Sequence, residues 1–425
     1  MKLSYLAENI IGSEIIRIAG EINAKIRAGQ KVFNLTIGDF DPHVFPIPTE
    51  LKQEIIKAYE AELTNYPPAD GLLSLREAVV NLLKRRLNLE YNSDEVVIAG
   101  GARPIIYSIF RAVADKDDKV LYAVPSWNNN HYTFLNFANG IEIQTSSENN
   151  FMPVVNDIVP YLKDISLLAL CSPQNPTGTV FTENGLREIC DAVLEENKRR
   201  GPDKKPVYVM YDQIYWELTY NGVRHVNPVS IIPEMKNYTV FVDGISKSLA
   251  ATGVRVGWSM GPKHLIDKMK AILTHVGAWA PKPEQEATAK YLLNADAYDI
   301  FIDKRKKDIY KQLVMLYDGF EALRKNGLPV QCVEPQAAIY LTVRFALKGY
   351  EDKNGKIIEN TEQITRFLLD KASLGIVPFY AFGSTKENDW YRISVGTLKE
   401  GDIPQIISKL SEVLSELRKT EKAVS

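Results

Sequence analysis

Five short apolar runs constrain the fold of this chain more than any other feature. They read EVVIAGG (95–101), DKVLYAVP (118–125), ISLLALCSP (165–173), PVYVMYD (206–212) and YTVFVDGIS (238–246). Amphipathic helical patterns, such as ARPIIYSIFRAVA and ENGLREICDAVLEENKRR, lie between them. Strands alternating with helices predict a largely parallel sheet covered on both faces. Beyond about Pro283 the pattern changes. A long helical stretch runs to about Asn326, followed by AAIYLTVRF, a helix near TEQITRFLLDKA, a strand near WYRISVGT and a C-terminal helix. That part reads as a smaller α+β domain. At the other end Ile15, Ile18, Ile22 and Ile26 recur at helical spacing, with Ser13 as N-cap. The expected organisation is an N-terminal segment (1–47) packing with the small domain, a large domain (48–290) and a small domain (291–425).

The 425 residues are 45% apolar and 24% charged, enough for a full core in a soluble globular protein. A net charge of −2 argues against a nucleic-acid or anionic-membrane surface. Cys171, Cys190 and Cys332 are odd in number and far apart, so they indicate neither a disulfide framework nor a zinc site and are expected as buried filler. The five histidines lack ligand spacing, and no metal is expected. Charges interrupt the start, MKLSYLAENIIGSEIIRIAGEINAKIRAG, before an apolar run of signal-peptide length forms, and no run reaches membrane-spanning length. A cytoplasmic location is the expectation.

Ligands of open α/β sheets bind at the carboxyl ends of the strands, and the residues found there are informative. The first run ends in Gly100-Gly101-Ala102-Arg103, which opens a helix and can bring a phosphate to free N–H groups. Trp127 follows the second, and SPQNPTG with Asn175 follows the third. Asp212 closes the fourth, with Tyr215 just beyond, and a carboxylate there is costly unless paired. After the fifth come Ser246 and Lys247, then Arg255 eight residues later. Singly, each has a plain structural reading: a turn, a core tryptophan, a polar loop, a helix cap. Together they supply an acid, an imine-forming lysine, a phosphate nest, an aromatic plate and an amide. Those are the parts needed to hold a phosphorylated pyridine aldehyde, pyridoxal 5′-phosphate.

From about Asn34 to Thr397 the sequence resembles the class I/II aminotransferases, fold type I pyridoxal-phosphate enzymes. NYPPADGLLSLREAV, SPQNPTG, YDQIYWEL, SKSLAATGVRVGW and YRISVGT match in order and spacing. The resemblance implies a ping-pong transfer of an amino group from an L-amino acid to a 2-oxo acid, with an aspartate, aromatic or other bulky donor. It implies that Lys247 binds the cofactor covalently and then serves as general base. Asp212 should pair with the ring nitrogen, Tyr215 and Asn175 with the ring oxygen, and Trp127 with the ring face. Arg255, the backbone at Gly101 and Ala102, Ser246 and Arg103 belong to the phosphate side. Tyr66 should reach the phosphate from the partner subunit of a homodimer with shared sites. Arg392 should take the substrate α-carboxylate, helped by Asn175, with Gly38 lining the pocket.

Departures are also visible. Gly244 stands where many relatives have a serine that touches the phosphate, Arg103 where the residue is often neutral or lysine. The segment GDFDPHVFPIP is longer and more aromatic than the usual loop. No residue matches the second arginine of some aspartate-specific relatives. Pyridoxal-phosphate lyases, such as C–S lyases or cyclopropane-carboxylate synthases, share every cofactor residue. A binding protein on an inactive fold would not need intact Lys247, Asp212 and Arg392.

Overall fold

The computed structural model describes residues 2–10, 12 and 14–420. The expected N-cap, Ser13, lies outside them. The central sheet has seven strands: β1 (Val96–Ala99), β2 (Lys119–Val124), β3 (Asn139–Gln144), β4 (Ile165–Cys171), β5 (Tyr208–Asp212), β6 (Thr239–Gly244) and β7 (Gly257–Met260). Their order is β1-β7-β6-β5-β4-β2-β3. The run from β6 to β3 is parallel, whereas β7 is antiparallel to both neighbours. Successive residues enter different cores: Leu168, Tyr211 and Phe241 pack on one face, Leu167, Met210 and Val240 on the other. That alternation is why both faces are apolar and both carry helices. In the helix Ala102–Val113, Ile105, Ile106, Ile109, Phe110 and Val113 are buried. Each such side chain contributes about 1.5–3 kcal/mol by leaving water.

All five expected strands are present, and two further ones are not among those expected. β3 is an edge strand in which only Ile143 is buried. β7 is four residues long and contains one glycine. Neither offers the long apolar run by which the other strands are recognised.

The long helical stretch is two helices, Lys282–Leu293 and Ala295–Lys325. Asn294 separates them, and its side chain accepts from Ala297 N. The start of the second helix (Tyr298, Ile302) packs into the core of the large sheet, while Ile309 to Leu323 pack into a second core. There a small antiparallel sheet is built from β8 (Val330–Cys332), β9 (Tyr340–Phe345), β10 (Val377–Pro378) and β11 (Trp390–Ser394), in the order β10-β11-β9-β8. The N-terminal helix Glu14–Arg27 buries Ile18 and Ile22, but Ile26 is exposed. Phe33–Asn34 pairs in parallel with Leu374–Gly375, which ties the N-terminal segment to the second core. Among the described residues no helix is long and apolar enough to cross a membrane.

Candidate active site

A cavity of about 630 Å³ opens at the carboxyl ends of β4, β5 and β6, where the two cores meet. Sheet register explains the convergence: Cys171 pairs with Asp212, and Asp212 with Val242, so these strands end level. Of the residues named from sequence, Gly38, Ala102, Arg103, Trp127, Asn175, Asp212, Tyr215, Ser246, Lys247, Arg255 and Arg392 line this cavity.

Lys247 stands on the turn Ile245–Ser248 that follows β6. Its Nζ donates to Gly38 O at 2.6 Å and lies 5.8 Å from the Tyr215 ring centre. Burial pushes its pKa down to about 8; Asp39 opposes the shift, and Arg392, Arg103 and Arg255 add to it. Asp212 accepts a hydrogen bond from Ile214 N at 3.1 Å. Burial pushes its pKa up to about 6, against that hydrogen bond and the Lys247 charge. A base made weaker and an acid made weaker thus face one space, each lacking a close ionic partner among the described residues.

The anion-binding end is built from the helix start at Ala102. Gly101 has φ +92°, and a Cβ there would lie well inside van der Waals contact with Arg255 Nη2. Only glycine leaves the guanidinium and the helix N–H groups free to meet one ligand. Arg255 is held by Thr252 O at 2.8 Å and Gly100 O at 2.7 Å, both neutral carbonyls that leave its charge unspent. Gly244 has a steric cause: a Cβ there would sit 2.7 Å from Gly257 Cα in β7. Ser246, beside Lys247, is buried and lines the cavity.

At the opposite end Arg392, 2% exposed, comes from β11. It donates to Asn175 Oδ1 at 3.0 Å and Thr36 O at 2.6 Å, while its Nε is buried without a partner. Such a cation is costly unless an anion completes it. Gly38 borders it, since a Cβ there would lie 2.8 Å from the Tyr340 hydroxyl and 3.4 Å from Arg392 Nη1. Asn175 is positioned by the loop after β4, where Gly178 (φ +70°) lets Tyr340 O approach and Thr177 O accepts from Thr342. Arg103 lies over Trp127, 4.8 Å from its ring centre.

Further placements complete the account of the residues named from sequence. Tyr215 bonds Tyr340 through the two hydroxyls at 2.6 Å. Cys190 is buried, but Cys171 lines the cavity and Cys332 is half-buried, so filler describes only Cys190 fully. Tyr66 is 80% exposed, packs on Trp279 with ring centres 5.2 Å apart, and is not among the residues that line the cavity of its own chain. Tyr340, Asp39 and Thr252 line the cavity without having been singled out. Tyr340 reads as one more apolar strand residue, and Asp39 as one acid in an acidic turn.

The free Arg255 guanidinium beside a glycine-only cradle, the open Asp212 carboxylate and the neutralisable Lys247 fit a phosphorylated pyridine aldehyde. Comparison with known proteins agrees. The model of the family described as aminotransferase class I and II matches residues 30–410. A probable aspartate/prephenate aminotransferase of Rickettsia felis is 29% identical, over 88% of this chain and 87% of that protein. An aspartate aminotransferase of Bacillus sp. strain YM-2 is 26% identical, over 90% and 92%. Among solved structures, the aspartate aminotransferase from Rhizobium meliloti superposes with a TM-score of 0.90 at 25% identity, covering 98% of this chain and 100% of that one. The aromatic aminotransferase from Pyrococcus horikoshii gives 0.80 at 26% identity, covering 93% and 99%.

Proposed function

The chain belongs to the class I and II aminotransferases, and we propose that it uses pyridoxal 5′-phosphate to move the amino group of a dicarboxylic L-amino acid, aspartate first, onto a 2-oxo acid. The observation that carries this reading is one cavity lined by Lys247, Asp212, Arg255 and the buried Arg392, whose Nε has no partner; burial there pushes Lys247 down to about 8 and Asp212 up to about 6. Both groups are brought toward the neutral range, where a side chain can hold or release a proton during a reaction.

When bound, the cofactor supplies an aldehyde for amines and an electron-withdrawing ring. The chain's own groups do the rest. Asp212 would offer its carboxylate to a protonated ring nitrogen, whose charge would favour the ionised form. Arg255 and the N–H groups at Gly101 and Ala102 would hold the phosphate. Trp127 offers a flat apolar face. Arg392 grips the substrate α-carboxylate with its two Nη groups and Asn175 beside it, which fixes the direction of the Cα–H bond. With the carboxylate held, loss of a proton is favoured over loss of carbon dioxide. The Lys247 amine, when neutral, would take that proton from Cα and hold it as an ammonium, the acid that can give it back to carbon.

Arg103 supports a dicarboxylic donor. It lines the cavity on Trp127, and among the described residues it has no carboxylate partner. A substrate side-chain carboxylate would supply one, while the tryptophan face suits an aromatic side chain. The relatives' names point to the same donor.

We also propose a homodimer. It is supported by the exposure of Tyr66, Tyr59, Ile56 and Leu293. The deciding experiment is a half-reaction: holoenzyme with aspartate and no oxo acid. A transaminase stops after about one turnover per site, in its amino form. Continuous release of pyruvate and ammonia from a Cβ-substituted amino acid, with no such stop, would make it a lyase.

A further inference from the structure

Contacts from three parts of the cavity converge on one short segment, Thr36 to Asp39. Arg392 donates to Thr36 O, and Lys247 to Gly38 O, each at 2.6 Å. Asp39 Oδ1 accepts from Thr252 Oγ1 at 2.6 Å and from Phe40 N at 2.8 Å. The carbonyl of Thr252 in turn accepts from Arg255. Asp39 thereby reaches the cavity wall as a carboxylate fixed by two donors, neither of them a cation.

The charged and titratable groups around the Lys247 amine come from every side. Arg103 stands on the helix after β1, Arg255 before β7 and Arg392 on β11, while Asp212 ends β5 and Tyr215 follows it. Three of these are cations, which disfavour an ammonium. Of the two carboxylates in the cavity, Asp212 is the one a ring nitrogen would engage. Asp39 remains for the lysine.

We infer that Asp39 is a positioning residue for Lys247: its carboxylate, pinned by Thr252 and Phe40 N, fixes the segment whose Gly38 carbonyl receives the amine and places a negative charge in the cavity that three arginines share. This inference rests on the reading of Lys247 given above. The Asp39 charge is the strongest influence opposing burial at that amine. The consequence is chemical. An amine stripped of its proton at all working pH values attacks well but cannot give a proton back. An amine that titrates near the working pH does both.

The test reads the lysine itself. Apoprotein is labelled with limiting acetic anhydride from about pH 6 to about pH 10, and acetylation of Lys247 is scored by peptide mass spectrometry against surface lysines. The parent should show a midpoint near 8. Asp39→Asn and Asp39→Ser both remove the charge and keep a small polar side chain. Either, once folded by circular dichroism, should lower the midpoint by about half a unit to one unit, so that labelling at neutral pH runs about three- to tenfold faster. A midpoint that stays put or rises overturns the inference. Pyridoxal phosphate added to the same samples separates the two ideas. If a yellow, borohydride-reducible adduct forms on Lys247 while the midpoint stays fixed, only the role of Asp39 is wrong. If even the parent forms no adduct, the reading of Lys247 fails as well.

Discussion

Replacing Asp212 by asparagine should stabilise the empty protein and cripple the loaded one. In the cofactor-free cavity Asp212 titrates at about 6 rather than the ordinary 3.8, because burial penalises its charge. Between those two values the folded chain holds the proton and the unfolded chain does not. Stability therefore falls as pH rises through that window, and the whole cost is present at neutral pH. Two units correspond to about 3 kcal/mol, and water in the cavity screens part of it, so about 1–3 kcal/mol is the expected gain on removing the charge. The assay is denaturant unfolding of apoprotein, parent against Asp212→Asn, at neutral pH and again at about pH 3.5. The variant should be more stable at neutral pH, and the gap should close in acid, where both forms are uncharged. In the holoenzyme the same change removes the charge opposite the ring nitrogen, which plausibly costs several kcal/mol of transition-state energy, or a rate loss of about 10²–10³. An apo variant no more stable than the parent at neutral pH would refute the unpaired carboxylate. Near-normal turnover would refute its catalytic role.

Lys247→Ala should abolish transamination in a folded protein, and a borohydride-reducible adduct persisting on that variant would reassign the anchoring lysine. Arg392→Lys should weaken amino acids far more than the matching amines, because an ammonium cannot make the two-point contact that the guanidinium makes; equal losses would remove Arg392 from the carboxylate site. Arg103→Gln should reduce kcat/KM for aspartate about tenfold or more and leave aromatic donors much less affected, as loss of one charge-assisted hydrogen bond requires. Mixing Tyr66→Phe with Lys247→Ala subunits should restore one intact site per heterodimer, seen as activity above the sum of the separate variants. A monomer by light scattering would exclude that arrangement.

Much of the site is legible in the sequence because the fold sends strand ends to one place. Once the runs ending at Ala99, Cys171, Asp212 and Gly244 are recognised as strands, the residues just after them must cluster. Their types then carry the chemistry. The rest depends on contacts across great sequence distance. Tyr340 matters because its hydroxyl meets Tyr215, 125 residues away. Asp39 matters because Thr252 reaches it across 213. No local pattern encodes either. The two missed strands fail for the opposite reason. β3 is half-exposed at the sheet edge, and β7 is only four residues long, so hydrophobic periodicity has little to work on. The break at Asn294 hides because the apolar spacing continues on both sides of one capping side chain.

The order in which the site is threaded along the chain has a consequence for synthesis. The cavity residues at the strand ends come from between Gly101 and Arg255, whereas Arg392 sits on β11, one of the last strands to be made. On a ribosome, Arg392 follows Arg255 by about 140 residues, several seconds of elongation at ordinary rates. During that interval the groups at the strand ends are already in the nascent chain, while the buried arginine opposite them is still to be made. The two ends of the cavity are thus completed at different times in synthesis, and the contacts of Arg392 to Asn175 and Thr36, which join them, are among the last that can form.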